Sequence, residues 1–255
     1  GKVYGLSDIK DAADCIAVLG TGSPCYPLYR SFFQSGMDPS DPADPHGYVR
    51  WGDGETYSVR IIGIRQDAKT DGGLAGLTFQ FVDCLNTTYR AHSVDANAVG
   101  WSGSELRSVM NSGTIWQQVP AKLAAAIPSV YHTNLYGART THDKLFLASY
   151  HEMTARDWST DKWSTLYPEI VLAGTERDTS GPYQYYDANH LNISGADLPQ
   201  PQMIKKVNGV ATPWWLRNID PNNNTGWGWV GESGDPHHGI AKSAVLAGVV
   251  PCFAL

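Results

Sequence analysis

Basic clusters are scarce in this sequence. Among 255 residues no run of Lys and Arg is longer than Lys205-Lys206, and the formal net charge is −6 with a pI near 5.7. Phosphate binding needs a concentrated basic face, so nucleic acid is excluded as the main partner. No apolar run approaches the length needed to cross a bilayer, which excludes a spanning helix. Cysteine is sparse too: Cys15, Cys25, Cys84 and Cys252 include no close C-x-x-C pair, so zinc ligation is not expected. Cys15 and Cys25 could bridge across the Gly-Thr-Gly-Ser-Pro turn, but spacing leaves the pairing open, and the default is four free thiols packed as small apolar residues. The sequence contains no nucleophile elbow, phosphate loop or zinc-protease motif. It starts at Gly1 without a signal-peptide pattern, as a trimmed or mature form would, and the route of export stays open.

What is present is an ordinary globular composition, 42% hydrophobic and 17% charged, with an unusual share of aromatics. Nine Trp and thirteen Tyr stand against six Phe. Trp and Tyr join a large apolar body to a polar handle, so they suit ligand-contacting surfaces as well as the core of a fold poor in regular structure. Along the chain, Ser7 to Leu19 reads as a short helix capped by Ser7 or Asp8, with Ile9, Ala12, Ala13 and Ile16 on one face. Residues 38–46 hold three acids and three prolines and have no core face, which makes them the best internal boundary. Residues 1–47 are thus expected to form an N-terminal segment or small subdomain, and residues 48–255 the main domain.

Within the main domain Tyr57–Ile64 and Leu77–Val82 read as strands of a hairpin turning at Asp71-Gly-Gly73. Ser102 or Ser104 caps a helix over Glu105–Asn111, and Pro120 starts another through Ala126. Val130 and Lys144–Ala148 look like short strands, and Ser149–Met153 like a helical turn. Long loops are expected between Trp158 and Val210. The fold class is α+β and loop-rich.

The stretch from Asn218 to Gly239 has almost no aliphatic residue besides Ile219 and Val230. Asn, Gly, Asp and Ser supply adaptable hydrogen bonding while Trp227 and Trp229 supply rigid area, the composition of antibody-like paratopes. Asn/Gly turns joining strands, with both Trp packed beneath, would give the same letters.

Five phrases occur in order: Gly76-Leu-Thr-Phe-Gln-Phe-Val-Asp-Cys84, Gly100-Trp-Ser-Gly-Ser-Glu-Leu-Arg107, Asp143-Lys-Leu-Phe-Leu-Ala-Ser-Tyr-His-Glu152, Trp214-Trp-Leu-Arg217 and Gly248-Val-Val-Pro-Cys-Phe-Ala-Leu255. Together, over roughly residues 48–255, they resemble a family of domains widespread in gut-bacterial prophages, phages and surface proteins. That family looks like a branch of the C-type-lectin fold shared with formylglycine-generating enzymes and with the variable proteins of diversity-generating retroelements. Most of its members read Pro-Ala-Phe where this chain has Pro251-Cys252-Phe253, a minor departure.

The resemblance implies a C-type-lectin-like (formylglycine-generating-enzyme-like) fold and a non-catalytic protein for ligand or receptor binding and adhesion. It would bind a protein or carbohydrate on a cell surface and be carried on a phage tail or bacterial surface. The ligand-binding residues would be Asn218, Asp220, Asn222, Asn224, Gly226 and Trp227, followed by Trp229, Gly231, Glu232, Asp235, His237 and His238. Of these, Asn222, Asn224, Trp229, Glu232, Asp235, His237 and His238 are expected on one exposed face, with Trp214, Leu216, Val249 and Val250 inward and Trp215 and Phe253 in the core. In retroelement diversification an Asn codon can become Gly, Asp or His but never Trp. Gly226, Gly231, Asp235, His237 and His238 then fit variable positions, and the two tryptophans fit the scaffold.

The formylglycine-generating relatives use a copper-binding cysteine pair near the C-terminus. Only Cys252 lies there, so that activity is not expected, and neither catalytic residues nor a cofactor are assigned. Asp235, His237 and His238 could ligate a metal, but adjacent histidines in a Gly/Pro loop read better as exposed polar residues, and no metal is expected. His142-Asp143 and His151-Glu152 read as structural hydrogen-bonding groups rather than an acid–base pair. No Glu-Pro-Asn or Trp-Asn-Asp phrase in the C-terminal stretch supports calcium-dependent sugar binding. The alternatives are an enzyme derived from the formylglycine-generating fold and a structural virion component without a ligand.

Overall fold

A computed structural model of the chain describes residues 5–22, 24, 47–134, 139–154, 182–188, 201–219, 224–235 and 240–255. The first element, α1 (Leu6–Leu19), buries Ala12, Ala13 and Ile16, the face that the spacing predicts. Its cap differs from expectation: Gly5 is the N-cap residue, and Asp8 reaches back to accept from the Gly5 N–H at 3.0 Å. Gly76 permits the helix to dock, because a Cβ there would lie 1.8 Å from the Ala13 carbonyl oxygen. Ala13 and Ile16 join the same hydrophobic core as the rest of the chain, so α1 is a segment packed onto the main body. The expected boundary at residues 38–46 lies outside the described residues.

The largest sheet is antiparallel and four-stranded. β1 (Gly47–Arg50), β2 (Thr56–Ile64), β3 (Leu77–Phe81) and β11 (Cys252–Ala254) lie side by side in that order. β2 and β3 form the predicted hairpin, with a bulge between Ile61 and Gly63. The penultimate residues close the sheet: Phe253 pairs with Phe79, their rings stacked at 5.1 Å between centroids. Alternation along β3 would ordinarily place one face in water, yet all five residues are buried. Thr78 and Gln80 are polar because they hydrogen-bond inside the protein, to Asp67 and Tyr186 respectively.

Helices α2 (Gly100–Gly103), α3 (Glu105–Asn111) and α4 (Ala121–Ala126) follow. Ser104 caps α3 by accepting from the Arg107 N–H at 3.1 Å, and Pro120 stands at the N-cap of α4 rather than in its first turn. β4 (Val130–Asn134) and β5 (Arg139–Asp143) make a hairpin, and α5 (Tyr150–Thr154) and α6 (Gln184–Ala188) are single turns or little more. The strand expected over Lys144–Ala148 does not form. Only Phe146 bridges to Cys252, because other partners take the neighbouring backbone groups. The Asn111 carboxamide accepts from the Lys144 and Leu145 N–H groups, and the Arg217 backbone and side chain donate to the Ala148 and Leu147 carbonyls. β6 (Lys206–Val207) and β7 (Val210–Ala211) form a minimal hairpin whose turn residues Asn208 and Gly209 take φ of 50° and 79°, as a two-residue turn requires. Most of the stretch between Trp158 and Val210, where long loops are expected, lies outside the described residues.

The second sheet holds β8 (Trp214–Ile219), β9 (Gly226–Val230) and β10 (Ile240–Lys242), ordered β10-β9-β8 and antiparallel. Together these elements make a mixed α+β protein with open sheets, and no barrel closes among the described residues. No described helix is long and apolar enough to cross a membrane.

Candidate functional site

β8 is buried along its whole length. Trp214, Trp215 and Leu216 are at most 1% exposed, as are Val249 and Val250, and Phe253 is also buried. The phrases flanking the polar stretch therefore act as its frame. Trp215 donates from its indole to the Tyr89 carbonyl at 2.7 Å and pairs across the strands with Trp229, ring centroids 5.8 Å apart. Trp229 is half-buried, while Asn224, Glu232 and Ser233 are exposed and Gly231 is partly so. A rigid aromatic thus lies on a buried one, close in sequence to polar side chains open to water.

Four residues assigned to ligand contact are instead interior. Trp227 is 0% exposed and donates from its indole to the Leu216 carbonyl at 3.0 Å, which agrees with a scaffold role. Asn218 is buried with its oxygen on the Tyr150 N–H at 3.0 Å and its amide so close to Gly228 that a Cβ there would meet it at 2.5 Å. Gly226 is buried, its carbonyl accepting from the Asn97 amide. Asp235, expected on the exposed face, is 3% exposed; it closes a tight turn in which its carbonyl accepts from the Gly231 N–H at 2.9 Å. Asp220, Asn222, His237 and His238 lie outside the described residues.

A second polar constellation lies deep in the body. The Glu152 carboxylate takes both terminal nitrogens of Arg217, at 2.8 and 3.1 Å, and the Ser149 N–H at 2.8 Å. His132 Nε2 stands 3.0 Å from Asp67 and 3.8 Å from Glu152. The Tyr183 hydroxyl and the Thr78 hydroxyl also donate to Asp67. All of these side chains are at most 4% exposed. Burial, and then the charges of Asp67 and Glu152, raise the Tyr183 phenol well above its ordinary value. Of this group only Glu152 carries a local cue, in His151-Glu152. Asp67, His132, Tyr183 and Arg217 come from segments too far apart in sequence for any local pattern to join them. Asp143 is likewise structural, held by the Trp101 indole at 2.9 Å and Arg107 Nε at 2.7 Å.

The two described C-terminal-domain thiols are poor nucleophiles in this setting, since the thiolate is the reactive form. Burial pushes Cys84 up to about 12, and it drives Cys252 far up, reinforced by Glu152 and Asp67. Lys205 goes the other way, brought down to about 8 by burial and then by Arg60. Its ammonium donates to the Phe81 and Val82 carbonyls and lies 5.3 Å from the Trp214 ring centre, so it ties the end of β3 to β8. No three His, Cys, Asp or Glu side chains are arranged to hold a metal among the described residues. Cys25, the partner considered for Cys15, lies outside them.

No curated protein and no solved structure matches the chain. Residues 77–255, which take in the buried polar cluster apart from Asp67 and the whole of the β8–β10 sheet, match one family, and the chain belongs to it: the family described as Domain of unknown function (DUF6273).

Proposed function

We propose that the chain is a non-catalytic ligand-binding protein with a C-type-lectin-like fold, displaying its recognition surface on the β8–β10 sheet and the turns beside it. The observation that carries this reading is the partly exposed Trp229 lying tilted against the buried Trp215, with Asn224, Gly231 and Glu232 reaching solvent at either end of β9. Such a surface on a packed frame loses little freedom on binding, which is where affinity is usually forfeited. The segments 220–223 and 236–239 adjoin these residues in sequence, which keeps Asp220, Asn222, His237 and His238 in the proposed site. The ligand is a protein or carbohydrate on a cell surface, the carrier is a phage tail or a bacterial surface, and retroelement diversification would act on the turn residues. Enzymatic activity is disfavoured because both described thiols of the domain are buried and held protonated, and because the buried carboxylates are engaged by protein donors.

The triple variant Asn224→Ala/Trp229→Ala/Glu232→Ala tests the reading. Labelled wild type should bind some members of a panel of gut-bacterial cells or a glycan array, and the variant should lose that binding. Its unfolding should remain cooperative, with a loss of about 2–3 kcal/mol that comes chiefly from truncating the partly buried Trp229. Unchanged binding by the variant, or copper-dependent oxidation of a peptide thiol abolished by Cys252→Ser, would overturn it.

A further inference from the structure

Three consecutive carbonyls lead into β9, and each accepts from a donor that lies on neither β8 nor β9. The Asn224 carbonyl takes the Asn97 N–H at 2.9 Å, and the Thr225 carbonyl takes the Ser243 N–H at 3.2 Å. The Gly226 carbonyl takes the Asn97 carboxamide at 2.8 Å. Asn97, in the loop ahead of α2, thus holds two of the three, and it is buried. That loop is itself fixed. The Asn97 carbonyl accepts from the Gly100 N–H at 2.8 Å, and Gly100 takes a φ of 57°, which lets the chain turn directly into α2. Ser243 is buried too; its hydroxyl donates to the Val94 carbonyl at 2.8 Å and accepts from the Ala96 N–H at 3.0 Å. Its carbonyl accepts from the His92 N–H at 3.0 Å.

We infer that Asn97 is a positioning residue for the recognition surface, an inference that rests on the ligand-binding reading above. Being buried, it acts through the backbone of residues 224–226, where Asn224 is exposed and Gly226 is interior. A stretch with almost no aliphatic residue cannot offset its ordering entropy through its own burial, so hydrogen bonds from outside must hold it. Asparagine suits the task because its short side chain sets a second donor beside its own N–H. One residue then reaches two carbonyls two positions apart. Both bonds end on main-chain oxygens, which every residue type supplies. The side chain at 224 can therefore change, and the ligand contact with it, while the mount beneath stays the same. A segment held in advance also loses less freedom when a ligand docks.

The test follows amide hydrogen exchange over residues 224–230 of the full chain by mass spectrometry, beside binding of the labelled protein to a panel of gut-bacterial strains. Asn97→Ala should speed exchange there about tenfold, as for the loss of a buried hydrogen bond. It should weaken binding by about tenfold as well, because docking must then order the segment. Asn224→Ala should weaken binding with exchange unchanged, since its carbonyl remains. Asn111→Ala removes a buried carboxamide that serves Lys144 and Leu145 instead, and it should lower the melting temperature while leaving both readouts at their wild-type values. Asn97→Ser, whose shorter side chain leaves room for water at the Gly226 carbonyl, serves as the milder variant if Asn97→Ala does not fold. Unchanged exchange in a folded Asn97 variant overturns the inference and leaves the ligand-binding reading standing. Faster exchange with full binding does the same, as does equal acceleration in Asn97→Ala and Asn111→Ala. If the wild type binds no strain, the reading falls and takes the inference with it.

Discussion

The stretch from Asn218 to Gly239 and the group formed by Asp67, His132, Glu152 and Arg217 are both strongly polar, and they sit in opposite environments. The first turns outward at Asn224, Glu232 and Ser233 and leaves Trp229 partly exposed. The second is interior, its two carboxylates meeting guanidinium, imidazole and hydroxyl groups from four separate segments. The difference teaches that composition does not separate a surface from a core when buried polar groups find partners. A buried charge is tolerated once it is paired and hydrogen-bonded. Asn218 and Asp235 belong by composition to the outward stretch, yet they are interior residues.

Breaking the inner cluster should have the largest effect. Arg217→Met keeps much of the side-chain volume but leaves the Glu152 carboxylate buried without its bidentate partner, at a cost of about 3–5 kcal/mol. Urea unfolding measures it, and a variant as stable as wild type would place the cluster in contact with water. The two tryptophans of β9 sharpen the contrast within a single strand. Trp227→Ala should cost about 3–5 kcal/mol, as for a fully buried aromatic, whereas Trp229→Ala, whose ring is partly exposed, should cost less, about 2 kcal/mol, and should also weaken ligand binding. Equal losses from the two would erase the distinction between frame and surface.

A smaller effect, on the order of 1 kcal/mol per pH unit for each proton involved, is expected in alkaline solution. Lys205 is held near 8 in the native protein, below its ordinary 10.5, so above pH 8 the unfolded chain binds the extra proton and stability rises. Cys84, held at about 12, and Cys252 keep protons that the unfolded chain gives up near 9, so stability then falls. Tyr57, Tyr183 and Tyr186, all raised chiefly by burial, steepen the fall beyond 10. Wild type should therefore be most stable near pH 9, and Lys205→Met should show the fall without the preceding rise. Chemical denaturation across pH 7–11 would reveal a missing rise in wild type, which would place Lys205 in water.

Elements set by neighbours in sequence were readable in advance. Glu105–Asn111 is helical with Ser104 as its cap, and β2 and β3 pair across the Asp71-Gly-Gly73 turn, because caps, periodicity and turn residues act over a few positions. The frame of the polar stretch is readable as well, since Trp214-Trp-Leu and Val249-Val are apolar without interruption. The apolar pattern of Lys144–Ala148 predicts a strand, because it carries no sign that Asn111 and Arg217 occupy its backbone groups.

The sequence by itself determined the α+β class, the helices α1, α3 and α4, the β2–β3 hairpin, and the lack of any Lys/Arg run longer than Lys205-Lys206. Tertiary structure alone decided which polar residues go inside. Asp67 meets His132 across 65 residues and Tyr183 across 116, and Arg217 meets Glu152 across 65. It also decided that Trp227 is frame while Trp229 reaches the surface, although both stand in the same Gly-Trp-Gly-Trp phrase. A burial preference belongs to a residue type, whereas burial itself depends on what the rest of the chain lays against each face of the strand.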